Sequence, residues 1–476
     1  MTIIRGRAVP RLLALLVSLT LIAAACGSDN DTGGESPGTE TSEAPDSPDS
    51  PDDPDTPDDP ETPDAPEADP DAPLTASYKG VSETTITVGV AMLDFAILKD
   101  LGLVPAGWGD QQAVWEALIA DLNDNGGIRG RQVEAVYEFY SPIDPADATR
   151  ACTALTEDND VFAVLGGFVG PLAGTVDPCI TGLNETILVG GDQNAEELSQ
   201  SVAPWYQPAA SADASTEILL NLLGETGRLD GAKVFVLGGQ ADEAGHDPAI
   251  RALEDRGIEV VGDDIIVAPD GDTPAQDSEL QIITEQIKSS GATAVFIHGI
   301  PSASIRGLGA AGLTTQLDIW SNSTAGLNNL GATIADKSIA DGVLAASGPD
   351  DTSIFEDPLY QSQCSEVVAA AVPDADIRTP QDYAEEDENW FNPIRRYCRL
   401  LDLFVQIANA AGPVLTQESF VAGAETLTDF SMPGTPNASL SAEKLFAEDS
   451  FALAEYDSTA GDGMAIPIGE LIDIFP

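Results

Sequence analysis

From residue 84 onward the chain alternates between two kinds of segment, and this alternation limits its possible folds more than any other feature. TTITVGVAM (84–92) is β-branched and uncharged, the pattern of a strand buried on both faces. DQQAVWEALIADLNDNGG follows, with Val114, Leu118, Ile119 and Leu122 on one helical face and Gly126 at its end. QVEAVYEFY reads as a second strand, and PADATRACTALTEDND as a helix with Pro in its first turn. VFAVLGG is a third strand, a third helix is expected from Pro171, and ETILVGG is a fourth strand. Such alternation builds an α/β fold, a parallel sheet with helices on both faces.

A second series repeats the order. KVFVLGG, DPAIRALEDRG, IEVVGDDIIV, ELQIITEQIKSSG and ATAVFIHG alternate strand and helix, and PSASIRGLGAAG, LDIWSN and GVLAASG extend them. Between the series lies APWYQPAAS, rich in Pro, Ala and aromatics, a crossover from one lobe to the next. ENWFNPIRRYCRLLDLFVQIANAAG then predicts a long helix ending at Gly412, and FALAEYD and GMAIPIG predict two short strands separated by a turn. About 400 residues are enough for two lobes with their own cores.

The residues before this body have a different composition. Arg5, Arg7 and Arg11 precede the apolar run LLALLVSLTLIAAA and Cys26, a secretory signal too short to span a membrane. LIAAACGSD resembles a bacterial lipobox, with Ala23 where many carry Leu; the resemblance implies cleavage before Cys26 and lipidation of its thiol. DSPDSPDDPDTPDDPETPDAPEADPDAP has too few apolar side chains to offset its ordering entropy, and its Pro and Asp keep it extended. At about 3.1 Å per residue it reaches on the order of 100 Å, enough to lift a folded body off a membrane.

The full chain carries 80 Asp and Glu against 20 Lys and Arg, a net charge of −60, so nucleic acid and anionic lipid are repelled. Of 5 Cys, Cys26 is assigned to the anchor. In an oxidising compartment the remaining Cys152, Cys179, Cys364 and Cys398 are expected to form two disulfides. Sequence alone leaves three pairings open; Cys152–Cys179 and Cys364–Cys398 are favoured because each pair falls on neighbouring helix candidates. Zinc is disfavoured, with no CxxC spacing and only His246 and His298 as imidazoles.

Taken in order, NDNGGIRGRQVEAVYEFYSPIDPADATRACTALTEDNDVFAVLGG resembles the start of type I periplasmic binding proteins of the branched-chain amino-acid-binding (Leu/Ile/Val-binding-like) group. GAKVFVLGG, RALEDRGIEVV and SSGATAVFIHG are similar to the repeats of that family's second lobe. The resemblance covers residues 84 to 470. It implies two Rossmann-like lobes joined by three crossovers, with the ligand cleft between them. The expected division is a lipoprotein signal over 1–25 and a tether over 26–75. Lobe 1 is expected from 84–205 plus 346–436, and lobe 2 from 206–345 plus 437–476.

The implied function is an extracytoplasmic solute-binding lipoprotein, lipid-anchored to the outer face of a bacterial membrane. It would be a monomer delivering an amino acid, amino-acid-like molecule or amide to the permease subunits of an ABC importer. No enzyme activity, cofactor or metal is expected. Two alternatives are a ligand-sensing lipoprotein without a transporter and an exported amidase-like hydrolase; the second lacks a nucleophile–base pair. GLGAAG (307–312) fits a dinucleotide motif, but its glycines end a helix instead of opening one, so Gly312 reads as a C-cap. DLNDNGGIRGRQ fits most of a calcium loop, but Gln132 stands where a bidentate Glu is needed.

Strand-to-helix loops are where open α/β sheets bind ligands. In the resembling family the loop after the third strand supplies backbone N–H groups and hydroxyls to an α-carboxylate. Here VLGGFVGPLAG has no hydroxyl, so weak binding of leucine-type amino acids is expected. The expected ligand set is Phe95, Trp108, Phe168, Val169, Gly170, Asp192, Gln193, His298 and Ser323.

Overall fold

The computed structural model describes residues 73–475, apart from Pro171, residues 240–242, Asp270, Ile300 and Asp462. The expected signal, Cys26, nearly all of the tether, and the proline expected to start the third helix lie outside the described residues.

Two sheets form. The first comprises β1 (Thr85–Leu93), β2 (Gln132–Tyr140), β3 (Ala163–Gly166), β4 (Ile187–Gly190) and β5 (Trp205–Tyr206), in spatial order β2-β1-β3-β4-β5 and parallel throughout. The second contains β6 (Lys233–Gly239), β7 (Glu259–Ile266), β8 (Ala294–Ile297), β9 (Asp318–Ser321) and β10 (Leu344–Ser347), in order β7-β6-β8-β9-β10. That is the winding of the first sheet repeated. A ribbon of β11 (Phe430–Met432) and β12 (Thr435–Ala438) follows; β13 (Ser450–Asp457) and β14 (Met464–Asp473) then extend the second sheet beyond β10 as antiparallel strands. Each sheet reverses its winding between its first and third strands, β1/β3 and β6/β8, and such switch points open a crevice at the strands' carboxyl ends.

The apolar runs explain the strands. Every residue of β3, β4 and β8 is buried, as expected of parallel strands covered on both faces. Several acids have local work. Asp110, Asp144, Asp272 and Asp350 are helix N-caps, accepting first-turn N–H groups from Ala113, from Ala146 and Asp147, from Ala275, and from Thr352 and Ser353. Each such cap is worth about 1 kcal/mol and places negative charge at the positive end of a helix.

The long helix forms as expected, over Phe391–Ala410, and buries Phe391, Ile394, Tyr397, Phe404 and Ile407 in the core of the first lobe. Tyr397 stacks on Trp115 with ring centroids 4.8 Å apart. The favoured disulfides both form: Cys152–Cys179 has S–S 2.09 Å and Cα–Cα 6.4 Å, and Cys364–Cys398 has 2.03 Å and 5.7 Å. The third helix is irregular: over the described residues a 3-10 turn at Gly174–Val176 runs through two α-helical residues, 177 and 178, into a π-helical turn at Cys179–Leu183. Pro178 within it has no N–H to continue a regular α-helical ladder.

The chain passes between the sheets three times: after β5, after β10 and before β13. The first and third passages are hydrogen-bonded to each other. Gln207 N–H donates to Leu445 O (3.0 Å), Ala447 N–H to Gln207 O (2.9 Å) and Glu448 N–H to Pro208 O (3.1 Å).

Candidate ligand-binding site

Two glycine pairs end the strands that face the crevice. β3 runs into Gly166–Gly167 and β4 into Gly190–Gly191. The turns touch: a Cβ on Gly167 (φ +64°) would lie 2.7 Å from Gly191 Cα, and one on Gly191 (φ +76°) 2.5 Å from Asp177 Oδ2. Only glycine tolerates both the positive φ and that approach. Asp177 is fully buried behind them and accepts the Phe168 N–H at 2.7 Å. Burial pushes its carboxyl well above the usual range, against the pull of that hydrogen bond.

In front of Gly190 and Gly191 lies a cavity of about 360 Å³, within the range of small-molecule sites. All three crossovers line it, through Gln207, Pro208 and Ala209, through Gly348 and Pro349, and through Glu448. Trp108, Ile354 and Leu400 supply apolar wall, and Asn392 an amide. The rest is cationic: Arg395, Arg396 and Arg399 line it from one helix, in a chain with only 20 Lys and Arg. The helix buries its apolar stripe in the lobe, so positions i, i+1 and i+4 are left to turn toward the crossovers.

The arginines differ in their partners. Arg395 pairs with Asp351 and lies over the Phe391 ring, 5.3 Å from its centroid. Arg399 Nη2 stands 3.7 Å from Glu448 Oε1, outside hydrogen-bond range, and its Nε and Nη2 have no hydrogen-bond partner. Arg396 has no ion-pair partner among the described residues. Burial raises the Glu448 carboxyl and lowers the Arg399 guanidinium from their usual ranges, and each partner's charge opposes the other's shift.

The residues expected from sequence are spread over this landscape. Trp108 lines the cavity, and Phe95 packs on it with centroids 5.1 Å apart. Gln193 is 1% exposed; its N–H donates to Gln207 Oε1 (3.1 Å) and its Nε2 to Trp205 O (2.7 Å), so it braces a lining residue. Asp192 is exposed beside Gly191. Phe168 is 0% exposed and meets Tyr140 edge-on at 4.9 Å, so its ring is part of the core. Val169 N–H donates to the Tyr140 hydroxyl (2.9 Å), and Gly170 is exposed with Pro142 close by. His298 is in the second lobe, buried, with Nε2 2.8 Å from His246 Nδ1; burial and that neighbour lower it to about 4. Ser323 caps a short helix there, accepting the Gly326 N–H. Sequence reasoning missed Arg395, Arg396, Arg399, Gln207 and Glu448. The available signal was RRYCR, three bases on nearly one face of a helix in a strongly acidic chain.

A family profile described as periplasmic binding protein matches residues 102–462. The chain belongs to this family. The periplasmic binding protein is similar in fold to a solute-binding protein of an ABC transporter from Rhodopseudomonas palustris HaA2 in complex with p-hydroxybenzoic acid. The identity is 15% and the TM-score 0.51, covering 82% of this chain and 98% of that one. It is also similar to an ABC transporter substrate-binding protein from Desulfitobacterium hafniense, at 15% identity and TM-score 0.53, covering 81% and 100%. Another from that organism, in complex with Leu, gives 14% and 0.50, covering 81% and 100%. No curated protein sequence matches the chain. A periplasmic binding protein works outside the cytoplasm and binds a ligand there.

Proposed function

We propose that this protein captures a small polar solute in the cavity where its three crossovers meet and presents it to an ABC importer. The observation that carries the reading is the cavity itself. Its lining combines an aromatic wall, convergent amides and unsatisfied guanidinium donors with all three segments about which two lobes would close. The proposed division is lobe 1 from 84–205 plus 346–436 and lobe 2 from 206–345 plus 437–476. Within the set expected from sequence, Trp108 and Phe95 form the apolar side of the proposed site, and Gln193 supports it through Gln207. The amino-acid-like or amide ligand expected from the family resemblance is held here only as a small polar solute.

The proposed setting is a lipid anchor at Cys26, with the acidic tether raising the body toward the solute. Thermal shifts against amino acids, amides, amines and carboxylates test the capture reading. A ligand present at a hundred times its Kd adds about 2.7 kcal/mol of stability. Trp108→Ala is expected to weaken that ligand at least tenfold. Unchanged affinity in this variant would place the site elsewhere.

A further inference from the structure

We propose that the solute is an organic monocarboxylate, held by Arg396 and Arg399. The inference rests on the capture reading above and fixes its substrate class. Three guanidiniums line the cavity. Arg395 is matched by Asp351, and Glu448 faces Arg399. Arg396 has no ion-pair partner among the described residues, which leaves one positive charge uncompensated at the wall. A second sign points the same way. Arg399 has 11% of its side chain exposed, and its Nε and Nη2 lack hydrogen-bond partners. Donors that are buried and unmatched are costly to leave so, and a carboxylate oxygen satisfies them with charge-assisted bonds.

The rest of the wall argues against other small solutes. A neutral amide leaves the excess charge standing. An amino acid brings an ammonium group as well, and that group needs an acid. Among the described residues Glu448 is the only carboxylate lining the cavity, and it is already opposite Arg399, with Gly348 close against it. An ammonium there would also lie among three guanidiniums. A dicarboxylate brings one negative charge more than the cavity leaves unmatched. Trp108, Ile354 and Leu400 give the remaining surface an apolar character, so the ligand's body is aliphatic or aromatic.

Calorimetric titration of the full chain tests this with two acids and their neutral counterparts, benzoate against benzamide and isovalerate against isovaleramide, with leucine as the zwitterion. At least one acid is expected to bind tenfold or more tightly than its amide and more tightly than leucine. Arg396→Gln is expected to remove that preference, and Arg396→Lys to keep part of it. Arg396 makes no ion pair among the described residues, so an unchanged melting temperature of the unliganded variant is the control for folding. Amides binding as tightly as the acids, with the same loss in Trp108→Ala, would overturn the monocarboxylate assignment and leave solute capture standing. So would leucine binding more tightly than isovalerate. Acid binding that survives Arg396→Gln would overturn the assignment of the residue. No heat from any probe, charged or neutral, would count against capture in this cavity and against the carboxylate together.

Discussion

The Cys364–Cys398 bridge fastens the arginine-bearing helix to the segment preceding it, and its removal has a calculable consequence. The bond closes a loop with a sequence separation of 34. In the chain-entropy description a loop of that size constrains the unfolded chain by about 3.8 kcal/mol at 25 °C. Both residues are buried, at 0% and 5% exposure, so Ala is the replacement to use; Ser would bury two hydroxyls. Loss of about 3.8 kcal/mol from a lobe of this size lowers the melting temperature by on the order of 10 °C. Tryptophan fluorescence suits the assay. Of 5 Trp, Trp108, Trp115, Trp205 and Trp390 pack in the first lobe and Trp320 in the second, so the signal reports mainly the lobe that holds the bridge. The second arm is reduction in a Cys152→Ala, Cys179→Ala background, which keeps the Cys364 and Cys398 sulfur volume and loses only that link. A fall below about 1 kcal/mol in both arms, with the bond verified by mass spectrometry in the oxidised protein, would refute the entropic reasoning. It would mean that packing already confines this segment in the unfolded ensemble.

Other outcomes follow from individual residues. Burial raises the Asp402 carboxyl to about 6, against a hydrogen bond from Gln406 (2.7 Å). The folded state therefore holds that proton more tightly than the unfolded state. Its contribution is fully present below about pH 4 and is lost as pH rises through 6, on the order of 2 kcal/mol. Asp402→Asn is expected to flatten that slope in denaturant titrations run from pH 4 to 7. Gly191→Ala puts a Cβ 2.5 Å from Asp177 Oδ2 and 3.0 Å from Trp205 Cζ2 at φ +76°, and is expected to cost about 2 kcal/mol or more in chemical denaturation. Cys26→Ala is expected to release the protein from membranes in fractionation; wild-type partitioning and maturation in that variant would remove the anchor from the account.

The fold was legible where composition has one structural meaning. Uncharged runs such as those of β3 and β8 cannot face water, and their alternation with helices required parallel sheets. The even cysteine count in an oxidising setting required pairing, and adjacency of helix candidates selected the partners. The helix expected after Gly170 is irregular, passing from a 3-10 to a π-helical turn, because Pro178 within it cannot donate to a regular ladder. The candidate site was much less legible, for a physical reason. Its walls come from segments far apart in sequence, around residues 108, 190, 208, 348, 395 and 448, and no local pattern announces that they meet. RRYCR reads as a solvated helix face until the crossovers fold over it, and Glu448 reads as one acid among many. Phe168 is the converse case. An apolar residue after a glycine turn suggests a ligand wall, but Tyr140 at the end of β2, on the far side of β1 from β3, claims its ring.

The measurement that bears most directly on solute capture at the crossovers is the electron density of the protein crystallised with the tightest-binding acid of the titration panel. The account predicts a ligand beside Trp108, with its carboxylate within hydrogen-bond distance of the Arg396 and Arg399 guanidiniums. A ligand seated instead against His298 and Ser323, with the arginine cluster unchanged and unoccupied, would contradict it.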